Sequence, residues 1–269
     1  MAGMRGGTSP SILSIAMIAS SNPAFSGSVL ANLGASYEQD GTELSLPGVA
    51  RKSLVLLALV IASAAYVWWQ ASLHGGKAVM SVVELGGGSS LFIVFLTRSW
   101  PRLAPVTAPI FAVLEGVSIG IISFAFNTRF HGIPMQAALA TFAATAVCFG
   151  LFAADRIEVS ETFAEKVVMG LFGLLAVYFL GWLLRALGVP FGTALDSGWL
   201  GFAINSIAIG LAIACLFLDF AAVESARQEK MSAKAEWYFA FSLLVTLVWL
   251  YLVFLQLLWR IRDRSADEK

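Results

Sequence analysis

The sequence predicts an all-α integral membrane protein, and three observations carry that reading. The chain of 269 residues is 58% hydrophobic and only 13% charged, whereas a water-soluble domain carries roughly 25% charged residues. Its mean hydropathy is +0.81, so it holds more apolar side chain than an interior could hide, and the surface must be apolar too. The apolar residues also gather in seven runs, each near the ~20 residues that cross about 30 Å of hydrocarbon as a helix. Unpaired backbone amides in lipid cost several kcal/mol each, which leaves helices or closed barrels. The runs do not alternate as barrel strands do.

Residues 1–50 are rich in Gly, Ser, Pro and Asn and contain no run long enough to span. They read as a flexible cytoplasmic tail with a short interfacial helix near residues 11–19. The start "MAGMRGGTSPSILSIAMIAS" has no early cluster of positive charge, so it does not read as a secretory signal. The spans follow at about 53–71, 78–97, 103–126, 135–154, 166–187, 199–222 and 237–259, within a membrane domain placed at 51–262. A short polar tail, 263–269, closes the chain. The breaks "HGGK", "RSWPR", "NTRFHGIP", "DRIEVSETFAEK", "GVPFGTALDSG" and "ESARQEKMSAKAE" are short, so successive spans should be antiparallel neighbours.

With the N-terminus inside, ten Lys and Arg fall on inner segments and seven on outer ones, the bias expected for an N-inside protein. The outer set includes the basic C-terminal tail, which six crossings and a re-entrant last segment would accommodate better. Against that, "WYFAFSLLVTLVWLYLVFLQLLW" is the most continuous apolar run and is bracketed by aromatics, and it decides for seven.

Net charge is zero, with 17 basic and 17 acidic residues, so nothing attracts nucleic acid. Cys148 and Cys215 lie in apolar runs and read as small apolar side chains. The two histidines, His74 and His131, fall in outer loops, which leaves no His-dependent triad or metal cluster on the inner side. "LGGGSS" lacks the Gly-Lys-Ser/Thr of a phosphate loop. No enzymatic activity and no resident cofactor are expected.

Three carboxylates fall within spans: Glu84, Glu115 and Asp219. An ionised acid at bilayer depth costs from about 2.5 kcal/mol upward, so such groups usually face a protein interior or a wet cavity. Glu115 sits mid-run, beside Gly116 and Gly120, which flatten one helix face for a close neighbour. It reads either as an ion-pathway group or as a neutral acid bonded to another helix. Glu84 precedes Gly86, Gly87 and Gly88, and glycine costs up to ~1 kcal/mol in a helix relative to alanine. That stretch reads as a flexible helix with a snorkelling acid or as a broken helix lining a site. Asp219 lies about a turn from the inner polar boundary and reads either as an interfacial residue or as a buried titratable group. Thr246, Asn205, Ser206 and Gln256 are neutral partners available between helices, and Arg98 and Arg102 are the nearest cations for Asp219.

The pattern "SNPAF", "GVARKSLVLLALVIASAAYVWW", "APIFAVLEGVSIGIIS", "LDFAAVE" and "EWYFAFSLLVTLVWLYLVFLQLL", in that order, resembles the Bax inhibitor family, and more particularly its bacterial YccA-like branch. The resemblance runs from about residue 21 to 260. It implies a seven-helix fold whose last helix is central and wrapped by the other six, in a bacterial inner membrane. It also implies a pH-sensitive leak of calcium, gated by two aspartates on the sixth and seventh helices with an arginine latch. Asp219 in "LDF" matches the sixth-helix aspartate and Glu115 in "LEG" a third-span glutamate. The seventh-helix acid does not carry over: Thr246 stands at or near its place, and Glu236 is the closest acid. A single carboxylate would hold Ca²⁺ weakly, since that ion takes six or more oxygens. For the latch, Arg98 is preferred to Arg102.

A cation leak for calcium or protons is therefore the leading functional expectation. The alternative is a non-transporting regulator that offers its N-terminal tail to a membrane-bound AAA protease, a role the resemblance implies for some bacterial relatives. A solute transporter is the weakest option, because no inverted repeat is evident.

Overall fold

A computed structural model describes residues 42–74, 90, 92–154, 159–188 and 198–267. The tail 1–41, with the expected interfacial helix, lies outside the described residues, as do Glu84 and the glycine run. The described residues are helical throughout apart from turns and one isolated bridge, and six helices are long and apolar enough to cross a membrane. Of the second expected span, residues 92–99 are described and are helical.

Helix α1, Leu46–His74, begins about two turns earlier than the apolar run suggested. Ser45 caps it, its Oγ accepting from the Gly48 amide at 3.1 Å, with Pro47 in the first turn where a missing N–H costs nothing. Helix α2, Ala104–Arg129, follows a 3₁₀ turn at Pro101–Leu103. Gly132 turns the chain into α3, Ile133–Ala153, with a φ of 86° that a side chain would disfavour. Its amide is held by Asn127 Oδ1 at 2.9 Å. Helix α4, Glu161–Ala186, is capped by Ser160, which accepts from the Phe163 amide at 3.2 Å. Helix α5, Gly198–Gln228, runs well past the expected end at 222. A 3₁₀ turn, Ala233–Ala235, then leads into α6, Glu236–Asp267.

Helix α6 packs against α1, α2, α3 and α5. Half of the most apolar window of α5 and of α6 is buried, against 11% of that of α4. In water α4 would be untenable. In a bilayer its exposed Met169, Phe172, Leu175 and Trp182 simply meet acyl chains. Close approach is concentrated where the chain offers glycine. A Cβ on Gly120 would lie 2.6 Å from the Ala64 carbonyl oxygen, and one on Gly116 would run into Val60 and Ser63. The flat face read from these two glycines is thus the seam between α2 and α1.

Two sets of contacts order the ends. Leu44 N donates to the Met231 carbonyl at 2.7 Å and Ala233 N to that of Thr42 at 2.9 Å. Residues 42–45, read from sequence as the end of a free tail, are therefore pinned to the α5–α6 connection. The 101–103 turn touches the 233–235 turn, so the start of α2 lies at this same end. At the opposite end Arg129 bonds Asp263 at 3.0 Å, joining the last turns of α2 and α6.

Replacing Gly120 with leucine should force α1 and α2 apart at a cost of about 1–3 kcal/mol. The expected result is a lower midpoint in thermal unfolding of the detergent-solubilised protein, with Gly150→Leu, a position with open space around it, as the silent control.

Candidate functional site

Asp219 lies more than two turns inside the end of α5 and its side chain is 0% exposed. The interfacial reading is therefore set aside: the helix continues past the apolar run, and α6 covers the carboxyl. Thr246 Oγ1 donates to Asp219 Oδ2 at 2.5 Å and Ser242 Oγ to Oδ1 at 3.3 Å. Both hydroxyls are buried. They stand four residues apart, so one face of α6 presents both across the helix interface, each to a different carboxylate oxygen.

Around this pair the packing is apolar, with Leu216, Phe217, Phe239 and Leu243 in one cluster. Such surroundings make an unsatisfied carboxylate costly and give each donated hydrogen bond more weight than in water. Tyr238, one turn before Ser242, is 0% exposed. The Arg98 guanidinium lies close enough to it to act on it electrostatically. Arg98 thus lies near Tyr238, toward the end of α6 that starts with Glu236, whereas Arg102 is exposed in the 3₁₀ turn.

The remaining candidates go elsewhere. Glu236, read as the acid nearest to a seventh-helix partner, is committed to α1: Lys52 Nζ donates to its Oε2 at 2.6 Å, and Ser45 N and Oγ to its Oε1 at 2.9 and 3.0 Å. It also starts α6 ten residues before Thr246, roughly 15 Å along the axis. Glu115 is half-buried and hydrogen-bonded by Ser90, one of the few described residues of the second run. Of the neutral partners, Asn205 Nδ2 donates to the Val253 carbonyl at 2.9 Å, joining α5 to α6 farther along. Ser206 bonds its own helix at the Phe202 carbonyl, and Gln256 is exposed. Thr246 alone of the four meets Asp219. Ser242 was not singled out from sequence, although its place one helical turn before Thr246 was the available signal.

Calcium can be tested against this donor set. One carboxylate and two hydroxyls fall short of the six to eight oxygens the ion takes. Among the described residues no group of three or more His, Cys, Asp and Glu side chains is gathered. The Asp219 cluster therefore suits a titratable contact or a transient stop for a cation better than a resident metal. Both cysteines are buried and free.

Six apolar helices, with a buried carboxyl gripped between the last two, define a multi-pass α-helical membrane protein. The chain belongs to the Bax inhibitor 1 like family, which it matches over residues 22–263. No curated protein and no solved structure matches it.

Thr246→Val keeps the shape of the side chain and removes a donor from a buried carboxyl, so it should cost about 1–3 kcal/mol. Ser206→Ala, on an exposed face, should stay within about 0.5 kcal/mol. Equilibrium unfolding in detergent compares the two, and equal effects would mean that the Thr246 bond contributes little.

Proposed function

We propose that this protein is a proton-gated cation leak, calcium being the expected permeant ion, in which Asp219 is the titrating group. It acts as a conduit with no chemical step and no resident cofactor. The observation that carries the reading is the fully buried Asp219 carboxyl, gripped by Ser242 and Thr246 of the neighbouring helix. In this grip both hydroxyls donate, which suits a charged carboxylate. A proton gained on acidification turns one acceptor oxygen into a donor, so the hydroxyl facing it must turn round and accept, and the charge that strengthens both bonds is lost. The contact between α5 and α6 then loosens at its most polar point. The groups that bear on the titration are Ser242, Thr246 and Tyr238 on α6, and Arg98 from the segment before α2. Arg98, which acts on Tyr238, stands toward the Glu236 end of the same helix.

The same reading includes seven crossings around a central α6, with the N-terminus cytoplasmic and the protein in a bacterial inner membrane. Its support is geometric. Helix α1 starts at the end where the 231–236 connection lies, and its 29 residues rise about 43 Å. Helix α2 also starts at that first end, beside the 233–235 turn. The apolar run read from the sequence at about 78–97 would then supply the seventh passage. The packing of α6 against four other helices suits a central position.

Calcium flux from liposomes over a pH series tests the gate. Wild type should leak increasingly as pH falls, and Asp219→Asn, neutral at every pH, should leak at a constant, high rate. An unchanged pH profile in that variant removes Asp219 from the mechanism. Absence of flux from every variant, together with loss of protease binding on deletion of residues 1–41, would instead identify a non-transporting regulator of a membrane-bound AAA protease.

A further inference from the structure

The stretch "SLPG", residues 45–48, starts α1 with a serine cap, but its capping box is incomplete. In that motif the third helical residue is Glu or Gln, and its side chain reaches back to the cap's own amide. Here the third residue is Gly48, which has nothing to offer. The Ser45 amide donates instead to Glu236 Oε1, at 2.9 Å, from the first residue of a helix 191 positions away. The Ser45 hydroxyl donates to the same oxygen at 3.0 Å while accepting from the Gly48 amide at 3.1 Å. A Cβ on Gly48 would overlap the Glu236 carboxylate, so the missing side chain is what admits the foreign one. Lys52, two turns into α1, completes the assembly. Its Nζ bonds Glu236 Oε2 at 2.6 Å and the Ala233 carbonyl at 3.2 Å, and lies 5.6 Å from the centre of the Trp237 ring.

The clamp bears on the proposed gate through α6. Glu236 starts the helix, and Ser242 and Thr246 follow at fixed rise and rotation, so the point at which α6 is held sets where both hydroxyls meet Asp219. Helix α5, which carries Asp219, ends in the connection that the same clamp holds through the 42–44 and 231–233 pairing. We propose that Glu236 and Lys52 are positioning residues for the Asp219 site. Together with Ser45 they complete the α1 cap in trans, and the segment entering α1 thereby becomes a handle on the register of α6. The proposal rests on the proton-gate reading for its consequence in flux, but its structural content can be tested separately.

The test uses the full chain in liposomes, as wild type, Lys52→Met, Glu236→Gln, Lys52→Arg and the exchanged pair Lys52→Glu with Glu236→Lys. Calcium flux and amide hydrogen exchange by mass spectrometry are read on each. Lys52→Met and Glu236→Gln should raise flux severalfold at neutral pH. They should speed exchange across 236–246 while leaving the α4 peptide 166–180 unchanged. Lys52→Arg should behave as wild type. The exchanged pair should not recover, because a lysine at 236 points a donor at the Ser45 amide. Full recovery there would overturn the cap and leave a bare ion pair. Exchange that rises equally in α4, or does not rise at 236–246, would overturn the positioning role. Should Asp219→Asn leave flux unchanged, the gate reading fails, and exchange across 236–246 still decides the clamp.

Discussion

A carboxyl taken out of water must find its donors inside the protein, and at the Glu236 end of α6 that requirement organises the packing. Asp219 takes two hydroxyls from α6, and Glu236 takes an amide, a hydroxyl and an ammonium from α1 and its cap. Either acid left bare would cost several kcal/mol. The result is a chain of obligations: α1 depends on the first residue of α6, and α5 depends on side chains about two and three turns farther along the same helix. Both dependencies specify axial register, which apolar packing in lipid specifies poorly, because acyl chains are as good a solvent for leucine as another helix is.

Small residues make these polar contacts reachable. Gly116 and Gly120 let α2 approach the α1 backbone, and Gly48 lets a carboxylate reach a helix start. Helix α4 makes one such approach, Gly170 against Leu211 of α5, and its most apolar window is otherwise little buried. The molecule thus has a tightly registered side, α1, α2, α5 and α6, and a looser one. The proposed proton-sensitive contact between α5 and α6 lies within the registered part, where a small change in hydrogen bonding would have a defined mechanical consequence.

Much of the fold was legible in composition and run length. The apolar runs located the described helices to within about two turns, and the larger differences fall at polar ends: the start of α1 and the ends of α5 and α6. Helices α1 and α5 extend beyond their apolar runs because their polar ends are capped and paired, by Ser45 at one and along the 224–233 stretch at the other. Apolar length cannot register that. Of the site residues, Asp219 and Thr246 were legible together because a resemblance set the register of the last helix. Composition alone would have left Asp219 equally readable as interfacial. Ser242 went unnoticed because a serine in an apolar run is common and is usually bonded to its own helix, as Ser206 is. What Glu236 meets was not legible for a related reason: its neighbours in sequence say nothing of Lys52 and Ser45, nearly two hundred positions earlier.

By itself the sequence determined the solvent in which this protein lives and the helical form that solvent imposes. Both follow from how much apolar surface the chain carries and how long each run is. The tertiary structure decided which polar side chains answer one another, that the tail root is bound and that Asp219 is enclosed. Those outcomes depend on which faces of distant helices meet and at what height. Local sequence leaves face and height open, and a few hydrogen bonds and glycine-sized gaps settle them.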